Sequence, residues 1–142
     1  VKLIPISEHP DAAKILYDLL AERPTEASIS HKKMPTWEEH LAFIAKKTDW
    51  ASANAYQDWL LIEYGGEIRG AVYMTDKCEI GVAIFKAHQD KGYGPWAVTM
   101  LMRKYGCQRY LANVAPANEP SRKMFEKLGF KLVQHTYRLE AE

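Results

Sequence analysis

Six residues constrain this chain more than any other stretch: Gln89-Asp90-Lys91-Gly92-Tyr93-Gly94. They lie between an apolar run, Ile80–Phe85, and a run with helical spacing, Trp96–Tyr105. The local order is therefore strand, glycine-bearing turn, helix, which calls for a sheet with a helix packed on it. A helix start leaves backbone N–H groups without intrahelical partners and carries partial positive charge. Glycines at alternate positions keep side chains away from those groups. Lys91 adds a further positive charge. The turn is thus a candidate cradle for phosphate oxygens. No Gly-Lys-Ser/Thr closes it as in a P-loop, and its glycines do not follow the dinucleotide-binding G-x-G-x-x-G order.

The rest of the chain supplies a sheet and helices around this turn. Lys2–Ile6 is a short candidate strand. Pro10 opens a helix whose apolar stripe is Ala12, Ile15, Leu16, Leu19 and Leu20, and Arg23-Pro24 ends it. Residues 25–35 have no period and read as a loop. Thr36-Trp37-Glu38-Glu39 is a capping box, opening a helix with Trp37, Leu41 and Ile44 on one face. Asp58–Tyr64, Glu67–Thr75 and Cys78–Phe85 read as three strands joined by turns at Gly65-Gly66 and Asp76-Lys77, an antiparallel meander. After the helix at 96–105, Gly106 is placed to cap its end and Arg109–Val114 reads as a strand parallel to Cys78–Phe85. Asn118 is placed to cap a last helix, with Pro120 in its first turn and Gly129 at its end. Phe130–Gln134 and Thr136–Leu139 read as closing strands.

The expected order is β-α-α-β-β-β-α-β-α-β-β, a mixed but mostly antiparallel α+β sheet with helices on it. With 142 residues, the chain suits a single domain over residues 1–142. The formal net charge of +1 gives no footprint for nucleic acid or an anionic membrane, and no apolar run spans a bilayer. No secretory leader is visible, and a chain starting at Val1 suits a processed or truncated N-terminus. Cys78 and Cys107 form neither a disulfide framework nor a metal signature, so reducing cytoplasm is the expected setting. The oligomeric state stays open, a homodimer included.

Two segments carry a resemblance to a known family. Gln89-x-x-Gly92-x-Gly94 looks like the Q/R-x-x-G-x-G/A motif of the GNAT superfamily of acyl-CoA-dependent N-acetyltransferases. Asn118-x-x-Ser121-x-x-x-Phe125-x-x-x-Gly129-Phe130 resembles that family's N-x-x-A/S-x-x-x-Y-x-x-x-G-F segment, one strand further on. The resemblance covers roughly Asp58 to Leu139 and implies helices on both faces of the sheet and a splayed central strand pair. Acetyl-CoA, as co-substrate, would run its pantetheine along Val82, Ala83 and Ile84. Its pyrophosphate would rest on Gln89, Asp90, Lys91, Gly92, Tyr93 and Gly94. Asn118, Ser121 and Phe125 would flank the pantetheine arm. Asn118 serves equally as a plain helix cap, and Ser121 as a helix-surface serine.

The implied reaction is direct attack of a primary amine on the thioester, with a base to take a proton and a donor to hold the oxyanion. A backbone N–H within Val82–Ile84 is the implied oxyanion donor. Glu79 is the expected base, because a carboxylate in the apolar run Cys78–Val82 has its pKa raised; a solvent-facing strand glutamate is the plainer alternative. His31 and His40 are the other candidates, since imidazole titrates near neutrality. Many family members carry tyrosine where this chain has Phe125, and phenylalanine has no proton to return to the leaving sulfur. Tyr137 is a substitute donor or else a sheet tyrosine. A thiol pKa of about 8.5 lets a thiolate leave tolerably unaided.

For the acceptor, Ile29-Ser30…Glu39-His40…Phe43, Glu79-Ile80-Gly81 and Asn113-Val114-x-Pro116-x-Asn118 look more like amino-sugar-nucleotide and Rim-type protein N-terminal acetyltransferases than aminoglycoside enzymes. Tyr56, Trp59, Tyr73 and Trp37 either line an acceptor pocket or fill the core. No acidic cluster marks a polyamine or aminoglycoside site. Two other readings compete with an acetyltransferase. One is a non-catalytic acyl-CoA-binding module, which Phe125 favours. The other is a nucleotide-binding domain, for which the second motif would be coincidence.

Overall fold

A computed structural model describes residues 1–23 and 33–141. His31 and most of the expected loop at 25–35 lie outside the described residues. The strands are β1 (Lys2–Pro5), β2 (Tyr56–Tyr64), β3 (Glu67–Thr75) and β4 (Ile80–Ile84). The helices are α1 (Ala12–Ala21), α2 (Trp37–Thr48), α3 (Tyr93–Lys104) and α4 (Glu119–Lys127). The strands form one antiparallel sheet in the order β1-β2-β3-β4.

The two faces follow from strand alternation. Leu60, Ile62, Val72 and Met74 turn to one face and pack with Val98 and Leu101 of α3 and Phe125 of α4. Leu61 and Ala71 turn to the other and meet Ala12, Leu16 and Leu19 of α1. Helices on both faces of an α+β sheet are therefore observed. The β2–β3 hairpin closes over Gly65 and Gly66, whose φ angles are 62° and 79°. Positive φ at both central residues matches the right-handed twist of the flanking strands.

Local signals in the helices work as read. Glu39 N–H donates to Thr36 Oγ1 at 3.1 Å, and Thr36 N–H donates to Glu39 Oε1 at 2.8 Å. Asn118 Oδ1 accepts from Ser121 N–H at 3.4 Å. Gly129, at φ 102°, turns the chain so that Phe130 N–H reaches Phe125 O at 2.9 Å, which satisfies the end of α4. Gly106 has no such role. The end of α3 is instead held by Tyr110, whose hydroxyl donates to the carbonyls of Met102 and Tyr105.

Three expected strands are absent among the described residues. At 109–114 there is only a single parallel bridge, between Leu111 and Glu79; the backbone then leaves β4. Residues 130–134 and 136–139 have strand-like composition and no ladder partner. Phe130 packs against the core, but the apolar side chains after it are exposed, Leu132 at 75% and Leu139 at 95%. β-propensity reflects fit to a pleated surface, and no such surface meets this segment.

The cysteines also depart from expectation. Cys78 and Cys107 form a disulfide. Two cysteines carry no spacing signature, and only the fold shows that the β3–β4 turn meets the segment after α3. Leu111 N–H also donates to Cys78 O at 3.0 Å, so covalent and hydrogen bonds tie the same two segments. The cross-link spans 29 positions, and closing a loop of this size in the unfolded chain is worth about 3.6 kcal/mol. Replacing both cysteines with serine should lower unfolding stability by about 2–4 kcal/mol, read as a fall in the denaturant midpoint. An unchanged midpoint under oxidising conditions would show that the bridge does not hold the fold.

Candidate active site

The site begins where β4 loses its neighbour. Ile80 N–H donates to Leu111 O at 2.8 Å, on the edge of β4 away from β3. Alternate residues of a strand direct their N–H groups to the same edge, so Val82 N–H also points outward. The segment Asn113–Ala115 has already moved away there. A cleft of about 230 Å³ opens between them, walled by Gly81, Val82 and Ala83 on one side and by Asn113, Val114 and Ala115 on the other. Asn118, Ser121 and Phe125 line its α4 wall. Ile84 is not among the lining residues, although it lies on the same strand.

Beyond β4 the chain makes a short turn and enters α3. Gln89 Nε2 donates to Ile84 O at 3.0 Å, which pins the turn to the strand. Asp90 and Gly92 take left-handed backbone conformations, φ 61° and 84°, and Gly92 is the residue before the first turn of α3. Gln89, Asp90, Lys91 and Gly92 are exposed, so the start of α3 faces open space. The two motif glycines do different work. A Cβ on Gly92 would touch nothing within 4 Å, whereas one on Gly94 would come within 2.9 Å of Met124 Sδ. Gly92 provides the turn conformation and the open cradle. Gly94 lets α3 approach α4.

Glu79 stands at the neck, the bridge to Leu111 one residue before β4, and is not itself among the residues that line the cleft. Its Oε2 accepts from Asn113 Nδ2 at 2.8 Å, and its Oε1 accepts from Thr75 Oγ1 at 3.3 Å. Its surroundings are polar, not the apolar pocket that its neighbours in sequence suggested. Asn113 joins it to the cleft wall, a role the sequence reading missed; the single bridge at Glu79–Leu111 places Asn113 two residues further on.

On the α1 and α2 side the cleft is aromatic. Tyr56 and Tyr73 stack with centroids 4.0 Å apart and planes at 4°. Trp59 meets Tyr56 edge-on at 4.8 Å, and Phe43 closes the wall, 6.3 Å from Trp59. Tyr56, Trp59 and Tyr73 therefore line the pocket. Trp37 does not; it packs outside on Tyr17 and His40. Burial pushes the hydroxyls of both Tyr56 and Tyr73 upward, so both stay neutral. Gly81 makes this wall fit: a Cβ there would lie 2.2 Å from the Tyr73 ring.

His40 lines the same cleft but is 4% exposed. Its Nε2 lies 2.9 Å from Ala13 O. A carbonyl only accepts, so this nitrogen carries the proton. Burial lowers its pKa from 6.5, with the Ala13 hydrogen bond opposing. Tyr137 is 90% exposed on the unpaired C-terminal segment, so it is not a sheet tyrosine, and it does not line the cleft. Phe125 is buried and packs on Phe130 at 5.0 Å.

A family model for the acetyltransferase (GNAT) domain matches residues 1–131. The chain belongs to the GNAT acetyltransferases. No curated protein sequence matches it significantly. Among solved structures, a ribosomal-protein-alanine N-acetyltransferase from Brucella melitensis biovar Abortus is 15% identical, with 99% of this chain and 98% of that chain covered at a TM-score of 0.66. An aminoglycoside 6'-N-acetyltransferase from Acinetobacter haemolyticus is also 15% identical, covering 100% and 99% at 0.65. A Salmonella typhimurium protein solved with its cofactor acetyl-CoA is 19% identical, covering 91% and 77% at 0.63. At these identities the likeness is one of fold.

Acetyl-CoA, the co-substrate of the GNAT acetyltransferases, fits what this chain presents. The open start of α3 suits a pyrophosphate, and the cleft beside β4 has an outward N–H at Val82 and a wall of small side chains. Gly92→Asp should weaken acetyl-CoA binding at least about tenfold, by bringing a carboxylate to the phosphates. Gly92→Asn separates charge from backbone strain, because asparagine shares aspartate's tolerance of positive φ; it should bind clearly better than the aspartate variant in calorimetry. Equal affinity of the two would move the pyrophosphate elsewhere. For His40, the folded pKa lies below the unfolded value, so the unfolded state takes up the proton first as pH falls. The stability His40 contributes is full above 6.5 and is lost below it. Unfolding midpoints should fall across that window in the wild type and more shallowly in His40→Gln.

Proposed function

We propose that this GNAT acetyltransferase moves an acetyl group from acetyl-CoA to a primary amine, on a small molecule (an amino-sugar nucleotide among the candidates) or at a protein N-terminus. The observation that carries this reading is the continuity of the cleft. It runs from the β4 edge at Gly81–Ala83 to the aromatic wall at Tyr56, Trp59 and Tyr73. One end suits the thioester and the other suits an acceptor.

When bound, acetyl-CoA supplies a thioester carbonyl open to attack by a free amine. Val82 N–H points into the cleft and serves as hydrogen-bond donor to the carbonyl oxygen as charge develops on it. Glu79 takes the proton from the incoming ammonium, directly or through a water, because only the free amine is nucleophilic. Asn113 and Thr75 donate to this carboxylate and hold it at the neck. Asn118, Ser121 and Phe125 flank the pantetheine arm, while Gln89 to Gly94 receive the phosphates. No tyrosine stands at position 125 to protonate the leaving sulfur, and a thiol pKa of about 8.5 makes that tolerable.

Transfer to an amine nitrogen is supported by the Glu79 carboxylate, which can take the proton that an incoming ammonium must lose. The cytoplasmic setting expected from composition goes with a CoA-dependent reaction, but the Cys78–Cys107 disulfide weighs against a reducing compartment. A second reading, an acyl-CoA-binding module without turnover, draws on Phe125 alone.

Thiol release from acetyl-CoA against a panel of amines separates the two. The enzyme reading requires release with at least one amine class; the module reading requires acetyl-CoA to raise the melting temperature with no release from any. Glu79→Gln should lower kcat by about 10²–10⁴-fold with acetyl-CoA affinity unchanged. Wild-type turnover in that variant throughout the neutral range would remove Glu79 from the base role.

A further inference from the structure

The turn before α3 is gripped from the sheet by three side chains. Arg69 of β3 donates from Nη1 to His88 Nδ1 at 2.7 Å. The same Nη1 lies 3.4 Å from His88 Nε2, the longer and weaker contact. A guanidinium only donates, so Nδ1 accepts and Nε2 carries the ring proton. That Nε2–H donates to Glu67 Oε1 at 2.9 Å. Glu67 Oε2 stands 3.6 Å from Arg69 Nη1, which closes the set.

Arg69 also reaches the other end of the turn. Its guanidinium carbon is 5.7 Å from the Tyr93 ring centre and 5.6 Å from that of Tyr64, and its Nη2 donates to Tyr64 O at 3.1 Å. His88 ends the 3-10 turn Lys86–His88 directly before Gln89, and Tyr93 is the first residue of α3. One side chain therefore touches both ends of the segment that carries the glycine motif. Between those ends Gln89, Asp90, Lys91 and Gly92 are exposed, and Asp90 and Gly92 hold positive φ. A short exposed loop loses entropy when it is ordered, and fixing both its ends removes part of that cost before a ligand arrives. The charge of Arg69 is already met by Glu67, and its side chain is only 15% exposed. It thus works on the turn through shape rather than as a free positive charge.

We infer that Arg69, with His88 and Glu67, is a positioning clamp for the cofactor: it holds Gln89–Gly94 in the conformation whose N–H groups receive the CoA pyrophosphate. This rests on the placement of the pyrophosphate on that turn. The clamp acts through the turn and takes no part in proton transfer at the thioester.

The test is calorimetric affinity for acetyl-CoA and for acetyl-pantetheine, a donor that keeps the thioester and the pantetheine arm but lacks the phosphates and the adenosine. Arg69→Met and His88→Leu should each weaken acetyl-CoA binding about tenfold and leave acetyl-pantetheine binding unchanged. His88→Gln should bind acetyl-CoA close to wild type, because its amide can accept from Arg69 and donate to Glu67 as the neutral imidazole does. Arg69→Lys should recover little, since an ammonium keeps the charge without the planar fork. Equal loss on both donors would overturn the inference, because it would mark a general structural role. Full recovery in Arg69→Lys would also overturn it, by making Arg69 a plain positive charge. If Arg69→Met does not fold, the two His88 variants carry the test. Gly92→Asp separates the clamp from the placement beneath it. Loss of acetyl-CoA binding in Gly92→Asp, with none in the Arg69 and His88 variants, would remove the clamp and leave the pyrophosphate on the turn. No loss in any of them would remove the placement, and the clamp with it.

Discussion

The site depends on one short contact, the parallel bridge between Glu79 and Leu111. An edge strand normally pairs along its length or is covered, because its N–H and C=O groups seek partners. Here β4 pairs on its outer edge at a single point. The disulfide and the Leu111–Cys78 hydrogen bond close one end of the gap, and α4 holds the far wall through Phe125. The unused edge is thereby exposed to a cleft rather than to bulk solvent, and an extended ligand can lie there as a strand would. Had 109–114 continued as a ladder, Val82 N–H would have been consumed and the cleft closed.

The same neck couples fold to chemistry through Tyr73 and Gly81. They are cross-strand partners in the β3–β4 ladder, and the ring lies where a side chain on Gly81 would stand. This lets an aromatic wall on the α1 and α2 face continue across β4 to Asn113–Ala115. It also explains why two buried tyrosines are tolerable. Their rings stack at the cleft, and their hydroxyls hydrogen-bond one another and remain neutral, so no uncompensated charge is buried. Neutral hydroxyls at that wall leave Glu79 as the anionic group nearest the neck.

Much of this was legible in the residues. The Gly65-Gly66 hairpin, the Thr36 capping box, the Asn118 cap and the turn into α3 are local devices, and local devices can be read without the fold. Gly106 is a local device that failed, since α3 ends at Tyr105 without it; the other failures depend on what a segment meets. Residues 130–139 have β-forming side chains but no partner. The run Cys78–Val82 looks apolar in sequence, yet Glu79 finds Thr75 from its own turn and Asn113 from another segment. Cys78 and Cys107 are joined by topology, which no spacing rule encodes. Gly94 carries a motif glycine whose reason, Met124 of α4, lies 30 positions away by the numbering of the chain. Tyr73 over Gly81 was within reach, because the turn at Asp76-Lys77 nearly fixes the register, but the consequence for cleft shape needed coordinates.

Phe125 shows how a lost proton donor can be absorbed. Its ring is held between the core and Phe130, so the position contributes packing to the far wall of the cleft. A tyrosine there would gain a donor but would also need a partner for its hydroxyl whenever the leaving sulfur is absent. A phenylalanine removes that demand and keeps the wall dry. The chemistry that remains is asymmetric. Removing a proton from the ammonium is indispensable, because no lone pair is otherwise available, whereas a thiolate can depart unassisted and take its proton from water later. On the proposed reading, a site with a hydrogen-bonded carboxylate at Glu79 and no acid at 125 has the group for which water is the poorer substitute.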